Sequence, residues 1–310
     1  MAKARILIAD PIHEDAIAKL KAAGFDVVVR ADITPADLLK AVGEFDALVV
    51  RGRTKVTREV ITAGRRLRVI ARSGVGLDNV DLGAAQERKI QVINSPEGPS
   101  VSVAELVFGL ALGILRKIAF GDEGIRQGKW LKKESMGVEL RGRTLGIVGF
   151  GLIGEEVAKR AAAFGMKVLG FDVLPDRVKA MKSLGVEYRA LPDVIAGADI
   201  VTVHVPLTPK TTGLIGTAEI AKMRQGAVVI NTARGGIVDE KALYDGLTSG
   251  RLGGAGLDVF TEEPPQTNPT LSKLIMLPNV VSTPHIGAQT EEAEARNSAI
   301  IADKLLKLLR

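Results

Sequence analysis

The chain has 310 residues, 46% hydrophobic and 25% charged, proportions that suit a globular protein of two domains of about 150 residues, each with its own core. It contains no cysteine, which excludes disulfides, thiolate metal ligands and a cysteine nucleophile. The net charge of +6 is modest, no dense basic tract occurs and aromatics are 4%, so nucleic acid is not an expected partner; a solvated basic surface and a site for an anionic substrate both fit.

The opening MAKARILIADP reads as a strand entering a turn, without the long apolar region and cleavage site of a signal peptide, and a cytoplasmic protein is expected. Strands are predicted at Arg5–Ala9, Asp26–Val29, Ala47–Val50, Arg68–Ala71 and Gln91–Ile93, with helices at Glu14–Ala22, Pro35–Val42, Arg58–Ala63 and Leu82–Arg88. Such alternation predicts a parallel sheet covered on both faces. The two-proline stretch Asn94–Ser100 reads as a linker. Ser100 or Ser102 then starts a helix to about Ile118, with Glu105 placed to complete a capping box on Ser102. Its apolar residues fill more than one stripe, which predicts burial between domains or at a subunit interface. Glu105, Arg116, Lys117 and its glycines argue against a membrane span. Residues 121–140 read as charged and irregular, with Trp130 expected as a packing anchor.

The stretch 144–172, TLGIVGFGLIGEEVAKRAAAFGMKVLGFD, reads as strand, glycine turn, helix and second strand. Gly149 permits the turn, Gly151 permits close approach of a pyrophosphate, and Gly154 permits helix-on-sheet packing, while the helix start attracts the anion. Asp172 ends the second strand, where a carboxylate accepts from ribose hydroxyls and repels a 2′-phosphate. NAD is therefore the expected cofactor rather than NADP. Strands follow near Val186–Tyr188, Ile200–Val203, Ala227–Ile230, Ala255–Asp258 and Val280–Ser282, and an amphipathic helix at Thr290–Leu309 is predicted to pack back on the amino-terminal sheet. The expected division is 1–97 plus 287–310, a discontinuous domain, and 98–286, the nucleotide domain. The predicted fold class is α/β, with two doubly wound parallel-sheet domains, one inserted into the other.

Three histidines are present. His13, in the turn after the first strand, reads as structural, and His204 ends a strand facing a would-be nucleotide crevice. His285 sits in Pro284-His285-Ile286-Gly287, beside a turn where backbone can approach a ligand. A proton-transferring imidazole needs an orienting carboxylate, for which Glu262 and Glu263 are candidates. Arg234, in Asn231-Thr232-Ala233-Arg234-Gly235-Gly236, lies past another strand end, where open α/β sheets bind ligands.

Seven segments in order, VRGRTKV (50–56), RSGVGLDNVDL (72–82), LGIVGFGLIG (145–154), TVHVPLTPKTTGLI (202–215), NTARGGIVDEKAL (231–243), GLDVFTEEPP (256–265) and PHIGAQT (284–290), resemble the D-isomer-specific 2-hydroxyacid dehydrogenase family over almost the whole chain. Within it, RSGVGLDNVDL followed by GKWLKKESMGVELRGRTLGIVG most resembles the phosphoglycerate-oxidising branch. The resemblance implies a catalytic set of Arg234, Glu263 and His285. It implies cofactor contacts at Val75, Gly76, Gly149, Gly151, Leu152, Ile153, Gly154, Asp172, Val205, Thr232, Ala233, Asp258, Gly287 and Ala288. Relatives often carry threonine at the places of Val75 and Val205, which here offer only backbone groups. Substrate contacts are implied at Arg51, Arg72, Ser73, Gly74, Asn79, Arg234 and His285, and no metal.

The implied activity is NAD-dependent oxidation of 3-phospho-D-glycerate, a small anionic 2-hydroxy acid, to 3-phosphooxypyruvate. Arg51, Arg53, Arg72 and a neighbouring subunit's Lys132 or Lys133 are candidates for the phosphate. A homodimer is implied, as are no membrane and no nucleic acid. Glyoxylate or hydroxypyruvate reduction stays open, as does a nucleotide-sensing corepressor on the same fold. The chain stops at Leu308-Leu309-Arg310, which fits a short form without a carboxy-terminal regulatory domain.

Overall fold

A computed structural model describes residues 3–309. The chain divides into two compact units, Met1–Ser100 with Ala288–Arg310, and Val101–Gly287.

The first unit alternates β1 (Arg5–Ile8), α1 (Glu14–Ala22), β2 (Asp26–Val29), α2 (Pro35–Ala41), β3 (Ala47–Val50), α3 (Arg58–Ala63), β4 (Val69–Arg72), α4 (Leu82–Glu87) and β5 (Gln91–Asn94). The strands form one parallel sheet ordered β2-β1-β3-β4-β5. Its central strands are apolar on both faces because helices cover both. On one face Leu7, Leu48 and Ile70 meet Leu38, Val60 and Ile61.

The second unit comprises α5 (Ser100–Leu115), α6 (Ile118–Arg126), β6 (Thr144–Val148), α7 (Leu152–Ala163), β7 (Lys167–Phe171), α8 (Pro175–Ser183), β8 (Glu187–Tyr188), α9 (Leu191–Gly197), β9 (Ile200–Val203), α10 (Thr217–Lys222), β10 (Ala227–Asn231), α11 (Glu240–Thr248), β11 (Leu252–Leu257), α12 (Pro269–Ile275) and β12 (Val280–Ser282). Its parallel sheet runs β12-β11-β10-β9-β6-β7-β8. From β6 the chain steps outward to β7 and later returns to lay β9 on the other side, which opens a crevice at the carboxyl ends of β6 and β9. The chain ends in α13 (Glu291–Leu309), started by Thr290, whose hydroxyl accepts from Ala293 N at 3.1 Å. Ile301, Ala302, Leu305 and Leu309 of α13 close the other face of the first sheet against Ile6, Ile8 and Val69.

Several readings of the sequence need correction. The long apolar helix ends at Leu115, and Lys117 takes a left-handed φ of 52° before α6, so part of the expected irregular stretch is helical. Val138 N then bonds Leu115 O at 3.0 Å, which ties the returning arm to the end of α5. Ser102 does not start a capping box: it lies buried inside α5, and Glu105 reaches Arg160 at 2.9 Å instead. Trp130 is 80% exposed and anchors no core within this chain. No helix among the described residues is long and apolar enough to cross a membrane.

Candidate active site

The glycine turn sits at the β6/β9 crevice. Gly149 has φ +95°, and a Cβ there would lie 2.7 Å from the carbonyl carbon of His204, so only glycine lets the two strand ends come this close. Gly151 caps α7 with no side-chain hydrogen bond, and nothing stands within 4 Å of where its Cβ would be. The first-turn N–H groups of α7, which include those of Leu152 and Ile153, are thus left without a side-chain cap, as an anion-binding helix start requires. Asp172 is half-buried, and its carboxylate accepts from Phe150 N at 2.7 Å and Leu174 N at 2.9 Å. It braces the turn while each oxygen keeps acceptor capacity for a ribose hydroxyl. Arg177, the next arginine along, is paired to Glu155 at 3.0 Å, which offsets its attraction for a 2′-phosphate.

Two buried polar atoms at the same sheet end have no partner among the described residues, Thr232 Oγ1 after β10 and His204 Nδ1 after β9. Such orphans at a ligand crevice are what a bound cofactor's polar groups would satisfy. His204 Nε2 meets Thr202 Oγ1 at 3.0 Å, and burial pushes the imidazole down to about 3, so it is neutral.

Beside this crevice the loops after β10, β11 and β12 carry the predicted catalytic residues, and these three strands are neighbours in the sheet. His285 Nδ1 and Glu263 Oε2 are 2.9 Å apart. Of the two candidate carboxylates, Glu263 therefore orients the ring, while Glu262 accepts from Asn268 Nδ2 at 2.8 Å. With Nδ1–H donated to Glu263, Nε2 is the ring atom left to take a proton. The loop of Arg234 packs directly on that of Glu263: a Cβ at Gly235 would lie 2.0 Å from the carbonyl carbon of Phe260. Arg234 Nη1 donates to Ala233 O at 2.6 Å, and Asn231 Nδ2 holds Arg234 O at 2.8 Å. Glu263 and His285 also line a cavity of about 450 Å³ with Phe260, Thr283 and Pro284.

His285 takes φ +54°, unusual for a side chain with a Cβ. Asp258 explains how that is held: Oδ1 accepts from Thr283 Oγ1 at 2.6 Å and Ile286 N at 2.7 Å, and Oδ2 from Gly287 N at 2.8 Å. Burial pushes this carboxyl up, and the three donors together with His285 pull it back toward ionisation. Asp258, expected to touch cofactor, thus staples the histidine loop. Glu240, which sequence reasoning missed, holds Thr261 N at 2.8 Å from the start of α11, where an acid looks like any other first-turn residue.

The remaining predicted residues belong to the first unit, apart from Val205, Lys132 and Lys133. Arg51 follows β3 and pairs with Glu294 of α13 at 2.6 Å. Arg53 is tied to buried Asp10 at 3.1 Å and to the carbonyls of Ala9 and Ala31, which makes it a loop brace. Asn79 spends its amide on Arg51 O and Thr54 O, at 2.8 and 2.7 Å. Arg72 folds over Gly74, where a Cβ would sit 1.6 Å from Nη1. Ser73 is buried with no hydroxyl partner among the described residues, and Val75 O accepts from Asn94 Nδ2 at 2.7 Å. Gly76 and Ala288 are half-buried, as is Val205 in the second unit. Lys132 and Lys133 are exposed.

Comparison with known proteins agrees with this architecture. Residues 108–287 match the family described as "D-isomer specific 2-hydroxyacid dehydrogenase, NAD binding domain". The chain is 47% identical over 308 residues to the D-3-phosphoglycerate dehydrogenase of Methanocaldococcus jannaschii, covering 99% of this chain but 57% of that protein. It is 45% identical over 309 residues to the hydroxypyruvate reductase of Thermotoga maritima, covering 100% of this chain and 99% of that one. A solved structure of a protein from Thermus thermophilus superimposes with a TM-score of 0.85 at 36% identity, over 98% of this chain and 96% of the other. With a glycine turn and strand-end acid that fit NAD, and a family match across more than half its length, the chain belongs to the D-isomer-specific 2-hydroxyacid dehydrogenases and takes NAD as its cofactor.

Proposed function

We propose that the protein oxidises small D-2-hydroxy acids to 2-oxo acids, and reduces them in reverse, with 3-phospho-D-glycerate as the first candidate substrate. The observation that carries the reading is the 2.9 Å bond between His285 and Glu263 next to the braced loop of Arg234. In this reading the Arg234 guanidinium grips the substrate carboxylate in a planar fork and orients the adjacent carbon. His285 Nε2 takes the hydroxyl proton as the C–O bond gains double-bond character, and Glu263 stabilises the imidazolium that results. NAD, when bound, accepts the hydride that leaves the same carbon. In the reductive direction His285 returns the proton to the carbonyl oxygen. Backbone N–H groups at the start of α7 and the Asp172 carboxylate would hold the pyrophosphate and ribose, and Thr232 supplies a hydroxyl toward the cofactor.

The names of the relatives support a phosphorylated substrate, but the chain spans just over half the length of the phosphoglycerate dehydrogenases. A second reading, reduction of hydroxypyruvate or glyoxylate, is favoured by the engagement of Arg51 with Glu294 and by likeness to the Thermotoga reductase along its whole length. An NADH absorbance assay across 3-phosphoglycerate, glycerate, lactate and malate, and the matching oxo acids, tests both. Turnover of at least one pair is expected, and NAD binding without turnover of any would overturn the enzymatic reading.

We further propose a homodimer built on the second unit. Ile118 and Ile125 of α6, with Trp130 and Met136 on the arm, are large apolar residues more than half exposed in a single chain. Sedimentation of a monomer at working concentration would refute this.

A further inference from the structure

We infer that Glu294 sets how strongly the protein favours a phosphorylated acid over its unphosphorylated counterpart, by neutralising Arg51 at the crevice of the first sheet. The inference rests on the dehydrogenase reading above and concerns its substrate choice. In the order β2-β1-β3 the chain leaves β1 for one side and returns to place β3 on the other. The loops after β1 and β3 therefore diverge at the carboxyl end of the sheet, which is where doubly wound sheets receive ligands.

Arg51 opens the loop after β3, and its backbone is fixed. Buried Asp10 accepts from Arg51 N at 2.6 Å, Thr54 N at 3.2 Å and Thr54 Oγ1 at 2.6 Å, while Asn79 clamps the two carbonyls from the other side. Only the side chain chooses its partner. Nη1 donates to Glu294 Oε2 at 2.6 Å and Nη2 to Gln289 Oε1 at 3.0 Å. Gln289 and Glu294 also line a cavity of about 360 Å³ with His13. The Arg51 and Glu294 side chains are 22% and 32% exposed, so water screens their attraction only in part.

A phosphate ester carries close to two negative charges near neutral pH. To use Arg51 it must displace the Glu294 carboxylate and then lie beside it. An acid with a free hydroxyl in place of the phosphate ester meets neither obstacle. Glutamine at 294 keeps an acceptor for Nη1 and removes the competing charge, so Arg51 stays placed with its charge available. Glu294 is thus a positioning residue that acts through Arg51.

The test compares kcat/KM for 3-phospho-D-glycerate and D-glycerate in the wild type, Glu294→Gln, Arg51→Ala and the double variant. Glu294→Gln should raise the phosphorylated-to-unphosphorylated ratio about tenfold, through KM of the phosphorylated acid, and the rise should vanish in the Arg51→Ala background. An unchanged ratio, or an equal rise without Arg51, overturns the inference. Calorimetric titration with inorganic phosphate gives a readout independent of turnover: Glu294→Gln should bind it about tenfold more tightly than the wild type, and equal affinity counts against Glu294. If neither acid turns over in any variant, the dehydrogenase reading fails while the phosphate titration still decides this one. Should Glu294→Gln fail to fold, Glu294→Met carries the same comparison.

Discussion

At the scale of single residues, the candidate site separates the groups proposed to react from the groups that hold them. His285 and Glu263 are 49% and 40% exposed in their side chains, accessible to a small acid, whereas Asp258 behind them is buried. Replacing His285 by Ala should lower kcat by ~10²–10⁴, the range for a lost general acid–base, with NAD affinity held near wild type. Stopped-flow turnover with a fluorescence titration of NADH checks both halves, and an unaltered kcat would remove His285 from the chemistry. His204 makes a different prediction. Its residue is half-buried, yet Nδ1 is shielded from solvent, and burial lowers its pKa from the ordinary 6.5 to about 3. Between those values the unfolded chain binds one more proton than the folded chain, so the stability His204 contributes is complete above 6.5 and declines as pH falls. From pH 7.5 to 5 the loss from this group is up to about 2 kcal/mol. Urea unfolding of His204→Asn should show a smaller drop between those two pH values than the wild type does, and an identical drop would mean the imidazole charges freely in the fold.

At the scale of elements, the residues proposed for the chemistry follow strand ends, and neighbouring loops aim them. Asp258 follows β11 and holds the turn after β12 by three hydrogen bonds, so it fixes His285 across the gap between two strands. Asp258→Asn keeps one oxygen acceptor and puts an amide donor opposite the backbone N–H of either Gly287 or Ile286. It is expected to cost ~1–3 kcal/mol for the unsatisfied donors and to lower kcat by at least tenfold without removing any reacting atom. Thermal melting and kcat measured together check this, and a variant with normal kcat would show that the turn is held by other means. Part of this arrangement was legible in the sequence: the β-rich runs that end at Gly149, Asn231 and Asp258 mark strand ends, whereas Arg234, Glu263 and His285 were joined into one set by the resemblance of the seven segments, the residues by themselves leaving Glu262 and Glu263 both open. What was not legible depends on contacts distant in the chain. The Ser102 and Glu105 spacing fits a cap, but Arg160, 55 residues on, takes the carboxylate, and α5 begins early enough to bury the serine. The break at Lys117 carries no glycine or proline to announce it; the returning arm, bonded at Leu115 O, accompanies it. Asp10 and Glu294 were likewise silent, since an acid's buried or paired state follows from what packs against it.

At the scale of the whole molecule, each unit has cores of its own. In the first, Ile6, Ile8 and Val69 are closed by α13 on one face while Leu7, Leu48 and Ile70 are closed by α2 and α3 on the other. In the second, Phe150, Ile147 and Val157 form a core with α5, and Val203, Val229 and Leu257 another with α10 and α11. The turn that fits the pyrophosphate is made wholly by the second unit. Two perturbations should therefore reach different parts of a calorimetric trace. Leu305 of α13 is fully buried, and Leu305→Ala should destabilise the first unit by ~2–5 kcal/mol through lost burial and the cavity left behind. NAD at a hundred times its Kd should stabilise the second by about 2.7 kcal/mol, since ligand binds only the folded form. Differential scanning calorimetry of the wild type and Leu305→Ala, each with and without NAD, is expected to resolve two transitions, one lowered by the substitution and the other raised by the cofactor. A single transition, lowered by the substitution and raised by the cofactor, would mean that the two units melt as one cooperative body.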